Sequence, residues 1–513
     1  MIASMLGSLI LAAVLTVLQA AEEKRRADQA ARSAKARRLR HVTSGKEVII
    51  RPPVPQACTP TSFAATYKMG AVKERFHLFL SHVWSTGQEH MRIVKQRMLE
   101  MLPDIRVFLD VDDLKEGKGA EYVDASVLSL ILCSNGYFVS PNCMREILRA
   151  VVTGKPILAL LEPDTAKGGL TRDEIRAQLL EADEPFDKNG KLFPSKYAMW
   201  GLAGEVKSWG YDLPTGEQLY DALFKNEPVE WNRILAFQDI TLRLIAQRLL
   251  PDSTGGVYVQ GETANEALHI SAPAVRRFHV YCSVYNPGAV ELMTELAGKM
   301  SIEMVTTANE SSKGAPRLHV TSDVANLHLC DHMLVYLTDR TWTRGDEGSA
   351  QFAKEVEHAM DAKVPLLLVH EMLGVEQEDR FPCDFGNFFA CDRGTTPQEL
   401  VQRGIYGSIA TPLRGGAWRA ASMVMLAKGI SASAGDAEAT APANKQGARA
   451  KLLSWGTAKL ATKRHKKAAV VTFAAPSSVT VDMPPLDVDT PRDTFAATTS
   501  DEQPLHQQLL TIS

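Results

Sequence analysis

From about residue 75 onward, short apolar runs alternate with stretches of helical period. Such alternation marks parallel strands joined by crossover helices. Residues 76–80 read as a buried strand, and the polar run 81–87 after it reads as a turn. Met91, Val94, Met98 and Met101 then recur at helical spacing until Pro103 stops them. A second strand is expected over 107–111, closing in Asp110, Asp112 and Asp113, and a third over 127–133. A helix is expected over 141–153, with Pro141 in its first turn, Cys143, Ile147, Leu148 and Val151 on its inner face, and Gly154 past its end. Residues 157–161 give a fourth strand, Thr171 and Glu174 a capping box, and 231–250 a final amphipathic helix. The economical result is an α/β fold, a parallel sheet of about five strands wound on both faces.

The two ends of the chain break this pattern. Residues 1–21 contain no charged side chain and include Leu6, Leu9, Ile10, Leu11, Val14, Leu15, Val17 and Leu18, which matches the ~20 residues a helix needs to cross hydrocarbon. Lys24, Arg25, Arg26, Arg32, Lys35, Arg37, Arg38 and Arg40 follow, a basic flank that belongs on the cytoplasmic side of a membrane. A single-pass anchor, a cleaved signal peptide and the last helix of a longer membrane protein all fit. The order, apolar run first and basic charge second, favours the anchor. Residues 22–74 are then expected to be a basic juxtamembrane segment, with 27–41 helical, lipid-facing or simply solvated, and a linker broken by Pro52, Pro53, Pro55 and Pro60. After residue 430 the chain turns to Ala, Ser, Thr and Pro. Such a segment cannot bury enough apolar surface to offset its ordering entropy, so 431–513 is expected to be a disordered tail.

At 513 residues the chain exceeds a single core. The partition expected is one α/β domain over 75–250, a linker over 251–276 and a second α/β domain over 277–430. A net charge of −3 supplies no basic field to steer nucleic acid, and no aromatic-interleaved arginine platform stands in for one. Seven cysteines without a CxxC pair or metal-ligand spacing read as reduced thiols, with no metal site expected. Phosphate-binding P-loop, HExxH, GxSxG and dinucleotide-fingerprint motifs do not occur.

Three groups of residues then carry a family resemblance. Phe79-Leu80-Ser81-His82 closes the first expected strand, Phe108-Leu109-Asp110-Val111-Asp112-Asp113-Leu114 runs from the second strand into a loop, and Ser134, Tyr137, Ser140, Cys143 and Glu146 lead from the third strand into its helix. Together they resemble Toll/interleukin-receptor/resistance (TIR) domains over roughly residues 75–165, although Asn142 stands where that family has tryptophan. The resemblance implies a flavodoxin-like doubly wound sheet and a signalling role through association with other TIR domains, including copies of itself. Some TIR domains cleave NAD between nicotinamide and ribose, so NAD is implied as a substrate and no resident cofactor is implied. Glu146 would then be the catalytic carboxyl, with Ser81, His82, Trp84 and Asp110 lining the nucleotide site. The chemistry asks for little: nicotinamide is already a cationic leaving group, and a nearby carboxylate steadies the ribosyl cation.

Each residue also has a plainer reading. Glu146 suits a solvated helix position near a favourable dipole end. Ser81 and His82 suit caps of the turn, Trp84 suits packing, the three aspartates suit a solvated turn, and Tyr137 suits the core or rim. A non-catalytic scaffold and a nucleotide sensor without turnover therefore stand beside the enzyme.

The chain also echoes itself. Arg277-Phe278-His279-Val280-Tyr281-Cys282-Ser283 follows Arg75-Phe76-His77-Leu78-Phe79-Leu80-Ser81, and Lys363-Val364-Pro365-Leu366 follows Gly154-Lys155-Pro156-Ile157. In the register of the second pair, Glu355 falls on Glu146. Residues 333–338 supply a third strand, whereas 302–321 lacks an acidic loop. The expectation is a second, degenerate TIR-like domain.

Overall fold

β1 (Phe76–Ser81) is buried at every position, as befits a central parallel strand covered on both faces. Its side chains alternate: Leu78 and Leu80 enter one core and Phe79 the other. The structure, a computed structural model, describes residues 36–53, 75–113, 119–188, 191–250, 256–267, 270, 272–273, 277–306, 316–374 and 377–432. The expected anchor at 1–21, most of the basic segment and linker, and all but the first two residues of the expected tail lie outside them. Among the described residues no helix is long and apolar enough to cross a membrane.

β2 (Val107–Phe108), β3 (Ser126–Cys133), β4 (Ile157–Leu161) and β5 (Val229–Glu230) complete the first sheet. Its order is β2-β1-β3-β4-β5, with every neighbour parallel, which is the flavodoxin-like arrangement. The principal connecting helices are α1 (Trp84–Met101), α2 (Pro141–Val152), α3 (Arg172–Asp183) and α4 (Leu235–Arg248). Met91, Val94 and Met98 of α1 and Phe237 and Ile240 of α4 pack with Leu78 on one face. Ile147 and Leu148 of α2 and Ile175 and Leu179 of α3 pack with Phe79 on the other. The capping box at Thr171 and Glu174 forms as expected.

Strand β2 is shorter than its sequence suggests. The Asp113 carboxylate accepts from the Leu109 N–H at 2.9 Å, and Lys95 holds Asp112 at 3.1 Å and Asp113 at 2.5 Å. These contacts turn 110–113 into one helical turn, since aspartate side chains compete with the sheet for backbone donors. The hairpin of Phe186–Lys188 with Lys191–Phe193 was not expected, nor was the helix Gly216–Leu223 with its own capping box at Thr215 and Gln218.

The second sheet is formed by β6 (Phe278–Tyr281), β7 (Glu303–Val305), β8 (Arg317–Thr321), β9 (Cys330–Leu337), β10 (Leu366–Glu371) and β11 (Thr411–Leu413). All its pairs are parallel, in the order β7-β8-β6-β9-β10-β11. This is the order of the first sheet with one strand added at an edge. The nondescript stretch 302–321 supplies two of its strands. Helices α5 (Ala289–Met300) and α7 (Arg419–Ser431) cover one face, and α6 (Glu347–Asp361) covers the other.

Two findings change the expected partition. Leu39–His41, expected in the juxtamembrane segment, pairs antiparallel with Val257–Val259, expected in a linker. Leu39, Val257 and Val259 are buried, so this ribbon belongs to the folded body. Trp418 and Ala421 of the second half also belong to the core of the first sheet. The Trp418 indole N–H donates to the Phe237 carbonyl at 3.1 Å, and Arg414 donates to Asn232 Oδ1 at 2.8 Å and to the Glu230 carboxylate.

Candidate functional site

β1 and β3 lie side by side, yet their following helices leave toward opposite faces. At such a switch point the strand ends border a crevice. β1 ends in Ser81, and α2 starts just beyond β3, with Ser140 as its N-cap and Pro141 in its first turn. That start brings Glu146 over the end of β1. The Ser81 hydroxyl donates to Glu146 Oε2 at 2.6 Å, and Tyr137 Oη lies 2.6 Å from Ser81 Oγ. Ser81 and Tyr137 are fully buried, whereas Glu146 keeps partial exposure.

The electrostatics follow from this placement. Burial pushes the Glu146 carboxyl up to about 8, the nearby charge of Asp110 adds to the shift, and the Ser81 hydrogen bond opposes it. Gly119, at φ +95°, lies against the other oxygen, for a Cβ there would stand 2.9 Å from Glu146 Oε1. Cys143 is buried, its thiol pushed up to about 12, first by burial and then by Glu146. Its S–H donates to the His82 carbonyl at 3.4 Å, so it serves packing rather than nucleophilic chemistry.

The rim brings together the remaining expected residues. Trp84 opens α1 and is 63% exposed. It is not packed away: its indole N–H donates to Asp110 Oδ2 at 2.7 Å, leaving the ring standing at the surface. His82 is buried, and its Nε2 lies 4.0 Å from Asp110 Oδ1, too far for a hydrogen bond. That nitrogen has no hydrogen-bond partner among the described residues. Burial holds the imidazole below its usual range, with Asp110 pulling the other way. Asp112 and Asp113 take no part, being held by Lys95.

No family model matches the chain, and a search of curated proteins finds no match either. Among solved structures, the chain is similar to the TIR domains in the structure of the activated Roq1 resistosome directly recognizing the pathogen effector XopQ. The identity is 14%, the coverage is 34% of this chain and 99% of that one, and the TM-score is 0.23. The α/β assignment rests on the strand order and pairing described above.

Sequence reasoning passed over two residues here. Tyr137 suits the core or rim by sequence and is buried, and its hydroxyl is what reaches Ser81. Gly119 carries no motif of its own; its signal is a glycine placed just after an acidic turn, where a backbone must approach a side chain closely. Elsewhere, a cavity of about 250 Å³ beside Glu266, Lys299, Met300 and Met423 is remote from this constellation in sequence and shares none of its residues. Among the described residues no cluster of three or more His, Cys, Asp and Glu side chains could hold a metal ion.

Proposed function

We propose that the chain is a TIR-like signalling protein whose first α/β unit takes a nicotinamide dinucleotide in the β1–β3 crevice and cleaves it at the nicotinamide bond, with Glu146 facing the ribosyl carbon. The observation that carries this reading is the Ser81–Glu146 hydrogen bond at the switch point, where open parallel sheets bind ligands. In the reaction the C1′–N bond breaks and its electron pair leaves with nicotinamide, which departs neutral. Water adds to C1′ and releases a proton. Glu146 as a carboxylate offsets the charge on the ribosyl centre, and the exposed Trp84 ring offers a stacking face for a heterocycle. Burial favours the protonated carboxyl, and an incoming cationic nicotinamide ring draws it toward the charged form.

We read the second unit as a degenerate duplicate. The shared strand order supports this, as does a matching histidine: His77 Nδ1 accepts from the Arg106 N–H at 2.9 Å, and His279 Nδ1 accepts from the His319 N–H at 2.9 Å. In that unit the Tyr281 hydroxyl donates to Glu355 at 2.9 Å, which occupies the carboxyl that corresponds to Glu146. Association with other TIR-like units and a membrane tether in residues 1–21 complete the proposal.

The test is nicotinamide release from NAD by the full chain under crowding, beside Glu146→Gln. We expect release by the wild type that falls at least about a hundredfold in the variant, a loss of ~2.7 kcal/mol of transition-state stabilisation. Its kcat/KM should rise with pH toward about 8. Equal release by both proteins, or none by either, overturns the enzyme. A scaffold reading would then stand, favoured by a Glu146 carboxyl already engaged within the fold. Saturable NAD binding with intact ligand recovered would instead mark a sensor.

A further inference from the structure

Tyr137, Ser81 and Glu146 form an unbranched chain of oxygens drawn from three different elements: the turn after β3, the end of β1 and the second turn of α2. Both contacts are 2.6 Å, and Tyr137 and Ser81 are sealed from solvent. Each hydroxyl owns one hydrogen, so the direction of donation along the chain is not free. With Glu146 ionised, Ser81 must donate to Oε2 and must therefore receive from Tyr137. With Glu146 protonated on Oε2, that proton goes to Ser81 Oγ, Ser81 donates to Tyr137 Oη, and Tyr137 turns to the Cys143 carbonyl at 3.4 Å. The first arrangement holds two short bonds, the one to the carboxylate charge-assisted, and the second ends in a long one.

We propose that Tyr137 is a positioning residue for Glu146, acting through the Ser81 hydroxyl as a reversible two-step relay that favours and orients the ionised carboxylate. The inference rests on the reading of Glu146 as the working carboxyl. It adds that the carboxylate is poised by a phenol it does not touch. The groups facing Glu146 from the surrounding elements are Asp110 in the turn after β2, His82 beyond β1 through its contact with Asp110, Tyr137 before α2, and Cys143 and Arg145 on α2 itself. Arg145 is drawn away to Glu205, with its Nε donating to Oε1 at 2.7 Å. Asp110 opposes ionisation and is engaged by Trp84. Among the described residues, only the hydroxyl chain delivers a hydrogen to the carboxylate.

The experiment titrates the full chain, labelled with 13C at the glutamate carboxyls, by NMR without nucleotide. The Glu146 resonance is the one missing from Glu146→Gln. Tyr137→Phe keeps the ring and deletes the hydroxyl, so the charged form loses more than the neutral one. The midpoint should move up by about half a pH unit or more, about a threefold fall in the ionisation constant. Ser81→Ala should raise it further, and adding Tyr137→Phe to Ser81→Ala should then change nothing, because the path is already cut. Equal shifts from Tyr137→Phe in both backgrounds, or none in a folded Tyr137→Phe, overturn the proposal. A readout on the unaltered protein guards against variants that do not fold: the Tyr137 ring ζ-carbon must follow the Glu146 midpoint, and a resonance blind to it overturns the relay. Because no nucleotide enters, this result stands or falls separately from the nicotinamide assay.

Discussion

Glu146 carries a stability consequence that can be read without any substrate. Although the residue keeps partial exposure, desolvation of its carboxyl pushes it up to about 8 in the folded state, against about 4.3 for an unperturbed glutamate. Between those values the folded chain holds a proton that the unfolded chain has lost, so stability falls as pH rises. The contribution is fully present below the ordinary carboxylate range and is gone above about 8. Glu146→Gln mimics the neutral form, so its thermal midpoint relative to wild type should climb from pH 5 and level off above about 8; a constant difference from pH 5 to pH 9 means the carboxyl titrates normally. Gly119→Ala should cost about 1–2 kcal/mol in urea denaturation, combining left-handed backbone strain with a methyl pressed on Oε1. The Ser81–Glu146 meeting could be anticipated because strand ends and helix starts converge at a known place in parallel folds. The contacts that Tyr137 and His82 make could not, for they depend on where single hydroxyl and ring nitrogen atoms stop, which spacing does not encode.

At the scale of elements, α2 and α6 end in the same way with different residues. After α2, Gly154 takes φ +65° and the Lys155 N–H reaches back to the Ala150 carbonyl at 2.8 Å. After α6, Lys363 takes φ +53° and the Val364 N–H reaches Ala359 at 2.8 Å. Both follow the closure that favours glycine at the left-handed position. Exposed Lys363 bears the strain of a Cβ there, and Lys363→Gly should raise stability by about 1 kcal/mol in urea denaturation. An unchanged or lowered value would show the lysine side chain contributing contacts of its own. Buried strands such as β3 and β4 were legible because continuous apolar runs between turn signals leave few alternatives. β11 was not: three residues with Pro412 in the middle read as a breaker, and proline is tolerated there because the strand lies at the sheet edge. β7 and β8 were missed because both are short and hydrophilic at alternate positions.

For the whole molecule, the two sheets are not beads on a string. Arg414, buried from the second half, holds Glu230 and Asn232 of the first, and Trp418 fills the first core. Removing one partner of a buried ion pair leaves the other without compensation, so Arg414→Met should cost about 3–5 kcal/mol by chemical denaturation. Arg414→Met combined with Glu230→Gln should recover part of that loss; a double variant no better than the single one would locate the cost in packing. A fragment covering 70–255 alone should melt below the full chain or aggregate, because it bares the surface under Trp418 and drops both partners of the ribbon. Melting the fragment beside the intact protein checks this.

That ribbon also fixes where mechanical load can travel. Leu39–His41 is zipped to Val257–Val259, and Arg37 is ion-paired with buried Asp239 at 2.5 Å on α4. Tension applied through residues 1–35 would therefore reach the seam where one sheet hands over to the other and, through the Arg37 N–H on the Glu100 carboxylate at 3.0 Å, the C-terminal end of α1. A pull on that segment would load the joint between the halves and the end of α1 opposite Trp84.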